Sequence, residues 1–250
     1  MHPLVWPVDL GSAELLQKAM AAKYNQEQEI RYFSEQVKEG LDEIERSLVD
    51  GPMAKRGRVL DVGCGGGREA IALAKLGYRV VGIDIASRMI ETAQINAGRE
   101  GLDIVFLTLA AHKVTQRLGG FDHVLTTPSF YQCIPTKELR ILTLQALASV
   151  LEQDGKLFLS APWVSPGYRY GLRAYLVDWL RHLCRHMPGE GRMTESGDRL
   201  LGFVSAVSDP KFPVFCHVFR RRETIEKEIL EAGLDGEPLW NGMWWELRKR

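Results

Sequence analysis

Short apolar runs alternate with helical stripes through the middle of the chain. Five such runs have the length and the β-branched content of buried strands, and three of them are followed by apolar residues at helical spacing. The pattern predicts strands at about 58–63, 79–84, 103–108, 121–127 and 156–161, with helices at about 68–75, 87–99 and 136–152. Because strands that alternate with helices usually pair in parallel, we predict an α/β fold. Its sheet would be doubly wound and mostly parallel, with helices on both faces.

Two helical patterns precede the first predicted strand. We expect an extended arm at residues 1–12, a helix at about 13–24 and a longer amphipathic helix at about 27–49. Residues 1–50 are therefore predicted to form an N-terminal helical cap, and residues 51–250 the main domain. The cap either packs on the core or acts as a lid that places Tyr24 or Tyr32 against a ligand.

The pattern changes after the fifth predicted strand. Residues 163–211 carry a helical stripe at 172–183 between helix-breaking prolines and glycines, and we interpret them as an insertion that covers a substrate. A strand-like run at 212–219, a helix at about 223–232 and a final strand at about 243–247 follow. This ending predicts a hairpin-like pair at the edge of the sheet, which would then have seven strands with the last one antiparallel.

Composition narrows the functional classes. The 250 residues are 45% hydrophobic and 26% charged, as in an ordinary globular protein, and the formal net charge is zero. A balanced charge weakens a nucleic-acid partner without excluding it. The four cysteines are far apart and form no C-x-x-C, so we predict no metal site, no disulfide framework and a cytoplasmic location. The chain shows no basic leader and no run of about 18 apolar residues, so we expect no membrane segment.

One stretch carries the chemistry, the sequence R-V-L-D-V-G-C-G-G-G-R-E-A-I at residues 58–71. A buried strand runs into a glycine-rich turn, and a helix follows the turn. Glycines let the backbone adopt positive φ and approach a ligand closely, and the amides at a helix N-terminus suit a polar ligand. A dinucleotide fingerprint needs a further glycine where Arg68 stands, so the spacing argues against a nicotinamide-dependent dehydrogenase.

The glycine pattern from Asp61 to Gly67, followed by an acidic strand end at Asp84, resembles motif I of the class I S-adenosylmethionine-dependent methyltransferases. The resemblance covers about 58–161 and implies S-adenosylmethionine as methyl donor and S-adenosylhomocysteine as product. It implies that Asp84 accepts both ribose hydroxyls, since a carboxylate has two acceptor oxygens. The cofactor-binding residues that it implies are Asp61, Gly63, Cys64, Gly65, Gly67, Asp84, Ile85, Met89, Ala110, Ala111 and Thr126.

The chain departs from this family just after the third predicted strand. The family usually has an acidic residue there that binds the adenine amino group, whereas the corresponding position here is Ala110. Adenine recognition would then depend on the backbone, for example the Ala111 amide, with His112 or Gln116 as a substitute.

Two residues are candidates for positioning the methyl acceptor or accepting its proton. Tyr131 follows the fourth predicted strand in T-P-S-F-Y, which is similar to a motif of methyltransferases that act on amino groups. There Phe130 or Tyr131 would stack on a planar acceptor; the alternative is an ordinary packed loop. His217 in F-C-H-V-F resembles an H-x-F strand of some tRNA-modifying relatives, and its alternative is a buried structural histidine.

Three functions fit these features. We favour methyl transfer to a small organic acceptor, because the predicted cap and insertion are apolar and aromatic. RNA, such as a tRNA nucleobase, or protein is the alternative acceptor, and a non-catalytic S-adenosylmethionine-binding partner protein is the alternative of another class. Both a monomer and a homodimer are compatible with the sequence.

Overall fold

The fold is described from a computed structural model that covers residues 13–163, 195, 197–201, 214–239 and 242–250. The predicted arm at 1–12, the helical stripe at 172–183 and most of the predicted insertion lie outside these residues.

Nine strands are seen in this part of the chain. They are β1 (Arg58–Val62), β2 (Arg79–Asp84), β3 (Val105–Thr108), β4 (Phe121–Thr126), β5 (Leu151–Ser160), β6 (Asp198–Leu201), β7 (Val214–His217), β8 (Leu234–Pro238) and β9 (Trp244–Lys249). Seven of them form one sheet in the order β3-β2-β1-β4-β5-β9-β8. The first five are parallel, and β9 is antiparallel to both neighbours. The order reverses between β1 and β4, and ligands bind at the strand ends beside such a switch point.

Helices cover both faces of this sheet, as the sequence predicts. The helices are α1 (Ala13–Tyr24), α2 (Glu27–Gln36), α3 (Glu43–Asp50), α4 (Arg68–Lys75), α5 (Ser87–Arg99), α6 (Lys137–Ser149) and α7 (Arg222–Glu231). Apolar residues of α3, α4 and α5 pack on one face, and those of α6 and α7 pack on the other. Because both faces are buried, the central strands carry continuous apolar runs rather than an alternating pattern.

The N-terminal helices differ from the prediction at one point. The predicted helix at 27–49 is two helices, because the chain breaks at Gly40, which has φ +67°. Asp42 then caps α3: its carboxylate accepts from the Glu45 amide at 2.8 Å, while its own amide donates to the Glu45 side chain at 2.8 Å. This reciprocal capping box makes a new helix start more favourable than continuation of the old one.

The C-terminal strands also differ from the prediction. The run predicted at 212–219 forms β7, which pairs with β6 in a separate two-stranded sheet. The sheet edge is instead built by β8 and β9, which pair antiparallel. The sequence gives little sign of β8, because its residues Leu-Asp-Gly-Glu-Pro are mostly poor strand formers.

A buried ion cluster joins α6 to α7. Arg140 is fully buried and donates to both carboxylate oxygens of Glu228, at 2.9 and 2.7 Å. It also donates to Glu195 at 2.8 Å, and Glu228 accepts the Tyr131 hydroxyl at 2.6 Å. Removing one partner from such a cluster leaves a buried charge uncompensated.

We therefore expect Arg140→Met to lower the free energy of unfolding by about 3–5 kcal/mol, as measured by urea denaturation. The matched control is Lys137→Met, one turn earlier on α6. It removes a solvent-exposed pair with Glu231 at 2.8 Å and should cost less than about 1 kcal/mol. Equal losses in the two variants would contradict the role given to the cluster.

Among the described residues, no helix has the length and apolar character needed to cross a bilayer.

Candidate functional site

The turn between β1 and α4 has the geometry that its glycines predict. Gly63, Gly65 and Gly67 have φ values of +79°, +49° and +90°, which residues with a side chain rarely adopt. The amides of Gly63 and Cys64 donate to the Ile83 carbonyl at 2.8 and 3.1 Å. The turn is thereby fixed against the end of β2.

Asp84 completes this link. One carboxylate oxygen accepts from the Gly65 amide at 3.1 Å, and the other accepts from the Ala86 amide at 2.8 Å. Burial raises the pKa of Asp84, although its backbone hydrogen bonds oppose that shift. Each oxygen retains a second acceptor position, so the side chain can bind ligand hydroxyls without giving up these two bonds.

A cavity of about 590 Å³ lies above the turn, a size typical of small-molecule sites. Asp84 and the glycine turn form one side, and Thr127–Phe130, after β4, forms another. The first helices close it with the side chains Gln17, Met20, Lys23, Tyr24, Tyr32 and Phe33. Its lining is thus mainly apolar and aromatic, with polar groups concentrated near the turn.

The N-terminal helices are attached directly to the glycine turn. A Cβ placed on Gly66 would lie 3.0 Å from the Phe33 carbonyl oxygen, so α2 can pack this closely only against a glycine. Asn96 donates to the Gly66 carbonyl at 2.9 Å and accepts from the Ser34 hydroxyl at 3.2 Å. The predicted cap therefore contacts the backbone of the site itself.

The small sheet meets these helices on the other side of the cavity. Leu16 and Met20 of α1 pack with Val214 and Phe215 of β7, and the Phe215 amide donates to the Met20 sulfur at 3.2 Å. Met20 and Val214 both line the cavity, so α1 and β7 together form part of its wall.

Several buried acidic side chains lie near the glycine turn. Arg68 binds Glu45 and Glu69 at 2.6 and 2.5 Å, and it also donates to the Gly40 carbonyl. Asp61 is fully buried, and neither of its carboxylate oxygens has a hydrogen-bond partner among the described residues. Burial, then the charge of Glu69, raises the pKa of Asp61, and burial raises that of Glu69 to about 7. A cationic ligand nearby would favour the ionised form of these acids, because its charge would lower their pKa values.

The structure brings most of the predicted cofactor residues to the cavity. Its lining includes Gly63, Cys64, Gly65, Asp84, Ile85, Met89 and Ala111. Cys64 and Met89 are buried there, and burial raises the pKa of the Cys64 thiol, so it stays protonated.

The other predicted cofactor residues do not line the cavity, namely Asp61, Gly67, Ala110 and Thr126. Thr126 is buried and bonded to β5: it accepts from the Ser160 amide at 2.9 Å and lies 3.4 Å from the Phe158 carbonyl. Gly67 packs on Ala93, which a Cβ would approach to 3.2 Å.

Neither predicted catalytic residue faces the cavity. Tyr131 is fully buried, stacks on Phe219 and donates to Glu228. His217 is also buried, with Nδ1 2.6 Å from the Asp198 carboxylate. The structure thus favours a structural role for both side chains, because each already has its polar partner away from the ligand space.

Several cavity residues were not predicted from the sequence, and Lys23 and Phe33 are two of them. Lys23 is buried and pairs with Glu29 at 2.6 Å. The sequence could have indicated Lys23, because it follows Leu16 and Met20 at helical spacing and so interrupts an apolar face. Phe33 lies within the amphipathic helix predicted at 27–49, and nothing in the pattern of that helix indicates which residue lies over the turn. Among the described residues, no group of acidic, histidine or cysteine side chains could hold a metal ion.

Because the pKa of Glu69 is raised, we expect the stability of the protein to depend on pH. A folded-state pKa of about 7, above the ordinary 4.5, contributes stability that is complete below pH 4.5 and is lost as the pH rises through 7. The loss is at most about 3 kcal/mol. Glu69→Gln stays neutral, so urea titrations from pH 4 to 8 should show a flatter stability profile. Glu91→Gln, at an exposed position on α5, should leave the profile unchanged; a wild-type profile without this decline would contradict the assignment.

Comparison with known proteins agrees with this geometry. Residues 59–155 match the family described as methyltransferase domain. The ubiquinone biosynthesis O-methyltransferase of Bartonella bacilliformis is 32% identical over 126 residues, which cover 49% of each protein. That of Xanthomonas axonopodis pv. citri is 35% identical over 104 residues, covering 41% of this chain and 42% of the relative. The chain thus spans about half the length of the curated relatives it matches.

Solved structures show the same fold over most of the chain. A S-adenosylmethionine-dependent methyltransferase from Methanosarcina mazei aligns with a TM-score of 0.58 and 20% identity, over 83% of this chain and 96% of that one. The 1,6-didemethyltoxoflavin-N1-methyltransferase of Burkholderia thailandensis was solved with 1,6-didemethyltoxoflavin and S-adenosylhomocysteine. It aligns with a TM-score of 0.57 and 14% identity, over 99% of this chain and 90% of that one. The domain match therefore identifies residues 59–155 as a methyltransferase domain, and the sheet order and the glycine turn agree with it.

Proposed function

We propose that the protein transfers the methyl group of S-adenosylmethionine to a small organic acceptor. The observation that carries this proposal is the cavity that is lined both by Asp84 and the glycine turn and by aromatic side chains of the first helices. The curated relatives are O-methyltransferases by name, which supports a hydroxyl acceptor. The Burkholderia thailandensis enzyme holds a small molecule together with S-adenosylhomocysteine, which supports the size class.

The residues present fit the cofactor. A Cβ placed on Gly65 would have Phe33 Cδ1, 3.9 Å away, as its nearest neighbour, so a ligand can approach the backbone there. Asp84 would hold the two ribose hydroxyls, and Ile85 and Met89 would contact the base. The unpartnered carboxylate of Asp61 would attract the positive charge of the methionine portion, directly or through water.

When bound, S-adenosylmethionine supplies a methyl group on a cationic sulfur that leaves as a neutral thioether. The protein therefore has to align the acceptor and exclude water, rather than provide a nucleophile. We assign these tasks to the aromatic side chains of the cavity. Phe33 and Tyr24 lie edge to face with ring centroids 5.9 Å apart, and Phe130 lies across the cavity at the end of β4.

Tyr24 is the cavity group placed to hold a polar acceptor. Its ring is enclosed, and its hydroxyl makes no hydrogen bond to a described residue. Burial raises the pKa of Tyr24, so the hydroxyl stays protonated and serves as a hydrogen-bonding group rather than as a base.

In this proposal residues 13–50 act as the cap over the site. Residues 163–211, which are described only in part, act as a second cover. The cytoplasmic location stays a prediction.

Asp84→Asn tests the cofactor assignment. The amide keeps the shape of the carboxylate but loses one acceptor and the negative charge, so affinity for S-adenosylhomocysteine should fall about tenfold or more by calorimetry. Asp103→Asn, at an exposed position before β3, is the matched control and should bind like the wild type. Unchanged affinity in the Asp84 variant would exclude its ribose role.

The acceptor class is tested by incubating the protein with methyl-labelled S-adenosylmethionine and fractionated cell extract. We expect label in the small-metabolite fraction. Label in RNA or protein would contradict the small-molecule assignment, and tight cofactor binding with no transfer to any fraction would indicate a non-catalytic binding protein.

A further inference from the structure

One end of the cavity has a polar pair that the proposed function has not used. Besides Asp84, the cavity is lined by the apolar side chains Ile85, Met89 and Leu109, and by Ala111 and His112, which follow Leu109 closely in sequence. A base attached to a ribose held by Asp84 would lie along these apolar side chains, because they form the apolar surface next to that carboxylate. His112 then lies at the edge of the base.

Gln17 of α1 meets His112 at this point. Its Nε2 lies 3.4 Å from His112 Nδ1, and both residues line the cavity. We take the Gln17 amide nitrogen as the donor and Nδ1 as its acceptor, which places the ring proton on Nε2. Burial, with the nearby charge of Lys113, lowers the pKa of His112, so the ring is neutral at pH 7.

We propose that His112, oriented by Gln17, donates a hydrogen bond from Nε2 to N1 of the adenine base. The inference rests on the proposed cofactor. In this role His112 contacts the base as a hydrogen-bond donor, whereas a carboxylate would accept a hydrogen bond from the adenine amino group. Gln17 acts as a positioning residue, which places a side chain of the cap in the recognition of the base.

Gln116 is a matched comparison from the same segment. Its side chain lies 3.5 Å from the Ser149 carbonyl, and it does not line the cavity. Gln116→Ala should therefore leave ligand binding unchanged, whereas changes at His112 and Gln17 should alter it.

The test compares S-adenosylhomocysteine with S-inosylhomocysteine by calorimetry. In the inosine analogue N1 carries a hydrogen, so a donor at His112 would face a donor. A site that hydrogen-bonds one ligand group rejects an analogue that cannot pair with it. We expect the wild type to prefer the adenine ligand at least about tenfold.

The variants then show whether His112 carries the preference. His112→Phe keeps a flat ring without a donor, and the preference should fall to near one as adenine-ligand affinity drops about tenfold. His112→Asn retains a donor and should restore part of the preference, while Gln17→Ala should reduce it through loss of orientation.

Two results would overturn the inference. One is a preference that is the same in the wild type, His112→Phe and Gln17→Ala; if Asp84→Asn still weakens binding, the proposed function survives and only the role of His112 is lost. The other is absence of S-adenosylhomocysteine binding in the wild type, which would overturn the proposed cofactor and this inference together.

Discussion

The carboxylate of Asp84 holds together the two strand ends on which the site is built. It accepts from the Gly65 amide in the turn after β1 and from the Ala86 amide after β2. Without this bridge the glycine turn would be fixed to β2 only through the Ile83 carbonyl. The same oxygens face the cavity, so one side chain both sets the shape of the turn and presents acceptors to a ligand. We therefore expect few substitutions of Asp84 to preserve both tasks.

Charged side chains connect the segments behind the glycine turn. Arg68 begins α4 and binds Glu45 of α3 and Glu69 beside it, so a single guanidinium joins the first helices to the methyltransferase domain. With Asp61 behind them, the buried acids outnumber this cation. Such an excess is unfavourable in the folded protein alone, and it is relieved either by protonation, as at Glu69, or by a cationic ligand. Stability and ligand charge are therefore linked at this site.

The elements that the sequence predicts well are those whose local signals agree with their packing. β2 and α5 have the predicted bounds because a continuous apolar run and a helical stripe are each buried as their patterns indicate. The helix at 27–49 was wrong because the apolar stripe continues across the break at Gly40. Tyr131 was placed at the site because it follows a strand end, and His217 because its segment resembles an H-x-F strand, but their buried partners, Glu228 and Asp198, are distant in sequence. No local pattern reveals which strand-end side chains already have a partner.

The contact between Met20 of α1 and Phe215 of β7 has a kinetic consequence. It joins two covers that come from opposite ends of the chain, and both cover the same cavity. Separation of α1 from β7 at this joint would widen the cavity. Such a movement would act on donor and acceptor alike, so we expect this joint to influence how fast ligands exchange. Substitutions at this joint would then change the rate of product release without touching a reacting atom.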